Sequence, residues 1–381
     1  MDLSLTDEQE FLREAARGAL ARVDTVAAAR AAIEPAGSPE HAPLPDLWPT
    51  VVEAGWPGLL TSEDGGGAGL GLYDAILVAQ EAGAVLAPVP LVSVLPAATI
   101  LDAAGDADSA AAAGGELRVA WVPAAPPTDL DDRWTVEARS GVRRGGLPTG
   151  VLDGDQVTLD GEVAWVPDAP NADRLLVIAD VAGTPTAVLV EAGAAGLTVE
   201  DVTRYDATRP LGHVRLAAAV GRRVDADADA IGRAWHIAQA LLAGEAVGIV
   251  ERLLPIAVAY AKERHTFGRA IGSYQAVKHH LVEVLRLQEN AKSLLIYAAW
   301  ASEHAPEQLA LAAAAARSGA GHALDYATRE TISVHGGIGA TWEHDAPLYF
   351  RRAQLSRRLL GGDHGAADRV AGELLAGVTP A

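Results

Sequence analysis

The residues best equipped for chemistry lie in one polar insertion between two long apolar stretches, Arg264 to His280, RHTFGRAIGSYQAVKHH. An arginine, a Thr-Phe-Gly turn and a glutamine can bind an anion, or can form a helix-connecting turn with a capping arginine. A second glycine-punctuated stretch, SVHGGIGATWEHDAPLYFRR, runs from Ser333 to Arg352. A third candidate is Glu245, set in the apolar run LLAGEAVGIVERLL. A carboxylate desolvated there has a raised pKa, which makes it a stronger proton acceptor and so a candidate general base; an interhelical salt bridge or an exposed position on the bundle is the plainer alternative. Other signals carry less. The glycines of SEDGGGAGLGLYD at 62–74 do not form G-x-G-x-x-G and have no βαβ surroundings, so they read as a turn before a helix. Eleven histidines include no H-E-x-x-H, and His279 and His280 are adjacent and so diverge on a helix. No G-x-S-x-G elbow marks a hydrolase.

The elements that must position these residues follow from composition and pattern. With 381 residues and 50% hydrophobic side chains the chain can bury more than one core, and its length suits two or three domains. A formal charge of −20 argues against nucleic acid and anionic lipid as partners. Without cysteine there are no disulfides, thiolate nucleophiles, Cys-zinc sites or iron-sulfur clusters. The N-terminus lacks signal-peptide character and no apolar run reaches eighteen residues, so the expected location is cytoplasmic, with no membrane span.

Helices are expected over Thr6 to Ala21, opened by a Thr6–Gln9 capping box, around Pro45 to Ala54, from Tyr73 to Leu86, and on to Ala104. Gly105 to Glu116 reads as a linker. Strands follow at 117–122, 156–166 and 174–179. An acidic linker, Val224 to Ala230, then leads into four or five helices, and Val277, Leu281, Val284, Ala291 and Leu295 mark a buried stripe. The fold class is α+β: an N-terminal helical domain (1–115), a middle β-barrel or sandwich domain (116–223) and a C-terminal four-helix bundle (224–381). Pro255 is expected to kink its helix.

Ala259 to Leu281 and Ser333 to Arg352 together resemble the acyl-CoA dehydrogenase family, which carries an R-x-x-F-G…F-Q turn and a later H-G-G-x-G turn at similar spacing. PLGHVRL at 210–216, VPDAPNADRLLVIA at 166–179 and the N-terminal glycine turn add weaker support. The resemblance implies FAD as cofactor and an acyl-CoA substrate. It also implies that Arg264, Phe267, Gln275, Gly336 and Gly337 reach the diphosphate and adenosine of a neighbouring subunit's FAD. Those residue types suit the task, because a guanidinium forks onto phosphate oxygens and a glycine lets backbone N–H groups approach an anion.

The same resemblance marks departures. Acyl thioester oxidation needs a carboxylate to take the Cα proton and a flavin to take hydride from Cβ. Where the family places its base, this chain has Gly361, with Asp363 nearby as a weaker candidate, and in the other branch Ala238. Gln239 replaces a substrate-binding arginine and Ser333 a glutamine. Trp165-Val166-Pro167 replaces a flavin-binding strand, and no counterpart of the other such strand is evident around 119–131. Groups lent to a neighbour are kept; groups serving the chain's own flavin ring are lost. The expectation is a subunit of a hetero-oligomer, a heterodimer or α2β2 heterotetramer with a second acyl-CoA dehydrogenase-like chain, of the kind acting on steroid side-chain CoA thioesters. An electron-transfer flavoprotein or similar acceptor would take the electrons. The alternatives are a homo-oligomer using Glu245 as base, or a non-catalytic scaffold subunit.

Overall fold

The computed structural model describes residues 4–35, 37–123, 147–202 and 205–377. Helices come first: α1 (Asp7–Leu20), α2 (Thr25–Ile33), α3 (Trp48–Glu53), α4 (Leu72–Ala84), α5 (Leu91–Ala103) and α6 (Ser109–Gly114). The Thr6 capping box is present, Gln9 N donating to Thr6 Oγ1 and Thr6 N to Gln9 Oε1, each at 3.2 Å. The segment read as a linker at 105–116 contains α6, a single alanine-rich turn and a half held by packing.

Seven strands follow: β1 (Val119–Val122), β2 (Thr149–Asp153), β3 (Gln156–Pro167), β4 (Arg174–Val181), β5 (Thr184–Glu191), β6 (Leu197–Asp201) and β7 (Leu211–Val224). β4 pairs β2, β2 pairs β3, β3 pairs β7, β7 pairs β5 and β5 returns to β4, so five strands close on themselves. Closure leaves these strands no free edge. β1 joins β4 and β6 joins β7 on the outside of the ring. Alternate side chains such as Val157, Leu159, Val177 and Val188 fill the interior.

Beyond Val224 only three residues precede α7 (Ala228–Glu263), capped by Asp227, whose side chain accepts from Ala230 N. Pro255 lies within this one continuous helix. A hairpin, β8 (His265–Thr266) and β9 (Arg269–Ala270), leads into α8 (Gln275–His304), α9 (Leu309–His335), α10 (Ala346–Ser356) and α11 (Gly362–Gly377). On α8, Val284, Ala291 and Leu295 are buried, while Val277 and Leu281, nearest the hairpin, are only half-buried. α7 is the central post: α4 crosses it so closely that a Cβ on Gly248 would lie 1.9 Å from the Gln80 carbonyl oxygen. One continuous apolar core joins the helices to the outer side of the barrel. No helix among the described residues is long and apolar enough to cross a membrane.

Candidate functional site

The end of α7 sets the first turn. Arg264 N donates to Tyr260 O at 2.8 Å, and Ile271 N returns to Arg264 O at 2.7 Å, closing the β8–β9 hairpin. Its two-residue loop is Phe267-Gly268, with φ of 51° and 78°. Two successive positive φ values match the twist of a tight hairpin, and only the glycine takes one without strain. The loop holds the Phe267 ring 92% exposed. Gln275, at the first turn of α8, is also exposed.

The second turn ends α9. Gly336 has φ 64° and ψ −139°, a conformation open essentially to glycine alone, and its N–H donates to Ile332 O and Ser333 O. A Cβ placed on Gly336 or Gly337 would meet nothing within 4 Å, so both backbones face open space.

Packing brings the two turns together although some 70 residues of chain separate them. The Tyr260 and His335 rings lie 4.3 Å apart, and a shallow pocket of about 390 Å³ has Thr266, Phe267 and Tyr274 on one side and Glu330, Ser333 and Val334 on the other. The surroundings are basic on a chain of net charge −20: Lys262, Arg264, His265, Arg269, Lys278 and His279 are all exposed. Arg269 lies over the Tyr274 ring at 3.9 Å. The Arg264 guanidinium has no hydrogen-bond or ion-pair partner among the described residues. An unpartnered guanidinium, two bare backbones and an exposed phenyl ring fit the diphosphate and adenosine end of a dinucleotide.

The remaining candidates face inward. Glu245 is 2% exposed, and its Oε2 accepts from Arg209 Nη2 at 2.5 Å and Arg352 Nη1 at 3.4 Å. Arg352 also donates to Asp206 Oδ2 and Thr208 O, each at 2.9 Å. The carboxylate read as a possible base is therefore a node in an ion-pair cluster joining α7, α10 and the β6–β7 loop, and it is presented to no open space. Ala238, Gln239 and Leu360 are all buried, and Gln239 Nε2 donates to Leu360 O at 3.0 Å. Gly361 follows within a run of left-handed residues, Leu360 to Gly362. Asp363, half-buried, accepts from the backbone N–H of His364.

The Trp165 strand is enclosed too. The Trp165 ring is 3% exposed and packs edge-on against His213 at 4.4 Å. Ser93 Oγ donates to Pro167 O and accepts from Trp121 N, both at 3.1 Å, tying the strand end to α5 and β1. These residues fit a flavin ring poorly. Of the 119–131 segment, residues beyond 123 lie outside the described residues.

The interhelical ion pair was the plainer reading of Glu245, but the other buried charges went unread in the sequence. Asp168 is 2% exposed, its Oδ2 lacks a hydrogen-bond partner, and burial outweighs nearby Arg209 and Arg118 to push its carboxyl up to about 6. Burial likewise lowers the fully buried Arg317 guanidinium to about 10. The only available signal was the D-x-T-R spacing at Asp206 to Arg209, which has no meaning until its partner Arg352 is known. Among the described residues no cluster of three or more His, Asp or Glu side chains could hold a metal ion.

Comparison with known proteins decides the family. The acyl-CoA dehydrogenase N-terminal domain model matches residues 6–110 and the C-terminal domain model residues 229–375. The acyl-CoA dehydrogenase IpdE2 of Mycobacterium tuberculosis is 32% identical over 93% of this chain and 93% of its own length. This chain belongs to the acyl-CoA dehydrogenase family. Another relative, the acyl-CoA dehydrogenase FadE34 of M. tuberculosis, is 33% identical over 99% of this chain, which spans only 49% of FadE34. Among solved structures, the ChsE4–ChsE5 complex of M. tuberculosis matches with a TM-score of 0.83 and 25% identity over 100% of both chains. The Tcur3481–Tcur3483 steroid ACAD matches with a TM-score of 0.83 and 28% identity over 97% of this chain and 98% of that one. The helix–barrel–helix order of this acyl-CoA dehydrogenase family chain is thus the family fold.

Proposed function

We propose that this chain is one subunit of a heteromeric FAD enzyme that introduces a double bond between Cα and Cβ of an acyl-CoA thioester, with steroid side-chain thioesters as the favoured class. One observation carries the reading: the residues suited to a neighbour's dinucleotide are exposed and unpartnered, whereas those at the chain's own ring and substrate positions are enclosed by its own atoms. Similarity to ChsE4–ChsE5 and to the Tcur3481–Tcur3483 steroid ACAD, each named as a pair of chains, supports both the partnership and the substrate class.

In this reading Arg264 would hold the FAD diphosphate, the Gly336 and Gly337 backbones would leave it room to approach without a Cβ in the way, and Phe267 and Gln275 would lie towards the adenosine. Bound FAD supplies the hydride acceptor for Cβ. The partner chain supplies the carboxylate that takes the Cα proton, and an electron-transfer flavoprotein or similar acceptor drains the electrons. The homo-oligomeric alternative is disfavoured by the two arginines on Glu245.

The test is co-expression with acyl-CoA dehydrogenase-like candidate partners, followed by flavin-to-protein ratios and acyl-CoA oxidation with an artificial acceptor. The expected result is a colourless chain alone and a yellow, active complex. One FAD per chain with turnover in the isolated protein would overturn the proposal, and a colourless complex with every partner would leave the scaffold role.

A further inference from the structure

Three aromatic rings from three separate elements touch in series beneath the two turns, with interplanar angles of 30° and 47°. Tyr260, one helical turn before Arg264 on the same face of α7, lies 4.3 Å from His335, the last residue of α9 before Gly336. His335 lies in turn 4.2 Å from His344, in the loop after the glycine turn. His335 is buried, and its Nδ1 sits 2.7 Å from Thr331 O, which fixes that nitrogen as the donor and orients the ring. Its Cβ also stands 2.8 Å from where a Cβ on Gly339 would be, so it packs on both ends of the glycine turn. His344 is held independently, its Nδ1 accepting from Ala346 N at 3.0 Å. Arg30 of α2 pins the flanking residues, donating to Asp345 Oδ1 at 2.6 Å and to the Trp342 carbonyl.

Gly336 and Gly337 carry no side chain with which to anchor themselves, and Phe267 and Arg264 project from the molecule. The register of one turn against the other therefore depends on groups beneath them: the Tyr260–His335–His344 contacts and, farther from the glycines, His280 of α8, whose Nδ1 lies 2.9 Å from Tyr326 Oη and 3.4 Å from Glu330 Oε2 on α9. We infer that the Tyr260–His335–His344 series is a clip that sets the hairpin at Arg264 against the glycine turn at Gly336, with His335 and His344 acting as positioning residues. As a statement about dinucleotide binding it rests on the proposed function; as a statement about coupling between two turns it does not. Replacing either histidine by a small residue frees both turns at once, including the hairpin some 70 residues away in sequence. A flat ring without ionisable nitrogens retains the contact surface.

The experiment is amide hydrogen exchange on the isolated full chain with His335→Ala, His335→Phe and His344→Ala, followed by FAD titration of the partner complex carrying the same changes beside Arg264→Ala. His344→Ala, in a surface loop, guards against a His335→Ala variant that fails to fold. The expected result is at least tenfold faster exchange in both 265–271 and 336–340 for each alanine variant, recovery in His335→Phe, and FAD affinity at least tenfold weaker in the alanine variants. Acceleration confined to 336–340 overturns the clip. FAD affinity weakened by Arg264→Ala but untouched by His335→Ala and His344→Ala overturns its part in binding. Coupled exchange with FAD affinity unchanged in every variant, Arg264→Ala included, keeps the clip and removes the FAD-lending role.

Discussion

At the level of single residues, Asp168 shows what burial does to a charge the sequence could not flag. It follows Pro167 at the barrel rim with φ 61°, and its carboxyl is pushed up to about 6 from an ordinary value near 3.9. A folded-state value above the unfolded one means stability that is full below about 4 and is lost as pH rises through about 6. Asp168→Asn removes that loss and keeps a residue tolerant of positive φ. The expected outcome is a gain of about 2–3 kcal/mol at pH 8 that vanishes by pH 4, read from denaturant midpoints. His236 works in the opposite sense: burial takes it down to about 4, so its contribution is full above about 6.5 and is lost as pH falls towards 4. His236→Gln is expected to flatten the acid limb of the stability profile between those values. Exposed Arg264 was legible because a polar, glycine-marked insertion between apolar helices stands out in one dimension. Asp168, Arg317 and Arg352 were not, because a buried charge is defined by partners that only the fold brings near.

At the level of elements, the crossing of α4 and α7 fixes where the hairpin emerges, and small residues permit it. A Cβ on Gly248 would lie 1.9 Å from Gln80 O, and one on Gly83 would lie 2.2 Å from Glu245 O, both backbone atoms that cannot swing aside. Gly248→Ala is therefore expected to cost about 3 kcal/mol or to prevent folding, because the helices must separate. Gly232, on the same helix, has nothing within 4 Å of an added Cβ, and Gly232→Ala is expected to stabilise by about 0.5–1 kcal/mol. Thermal melts of the two variants should move in opposite directions; a common direction would refute the crossing argument. The pattern of Thr6 and Gln9 announced α1, and the strands at 156–166 and 174–179 were legible as Val-rich runs between turns. β7 escaped, since Ala217-Ala218-Ala219 favours helix in isolation; in the fold Ala217 and Ala219 pair with β3, while Ala218 takes φ 54° at a bulge with its N–H donating to Asp160 Oδ1. α6 escaped for the converse reason, being too short to register as a helix without the core beneath it.

At the level of the whole molecule, the order of helices, strands and helices was readable from composition, while the direction in which the site faces was not. Sequence could separate kept from lost groups only through a resemblance; the fold adds that Arg264, Phe267, Gln275, Gly336 and Gly337 all lie on the outside of one chain. Phe267 at 92% exposure, Trp342 at 52% and Ile338 at 44% accompany them. Exposed aromatic and aliphatic side chains beside an unpartnered arginine have the composition of an interface centre. This separates folding from assembly in a testable way. Phe267 buries almost nothing within its own chain and strains its backbone at φ 51°, so Phe267→Asp removes little packing and introduces a residue better suited to that conformation. The isolated variant is expected to melt at or slightly above the parent temperature. In the proposed complex the same change would set a carboxylate in place of an aromatic anchor beside an anionic dinucleotide, so size-exclusion chromatography of co-expressed chains is expected to show dissociation and loss of flavin. A lower melting temperature for the isolated variant would mean that the hairpin serves this chain's own stability. An intact yellow complex would mean that Phe267 faces no partner.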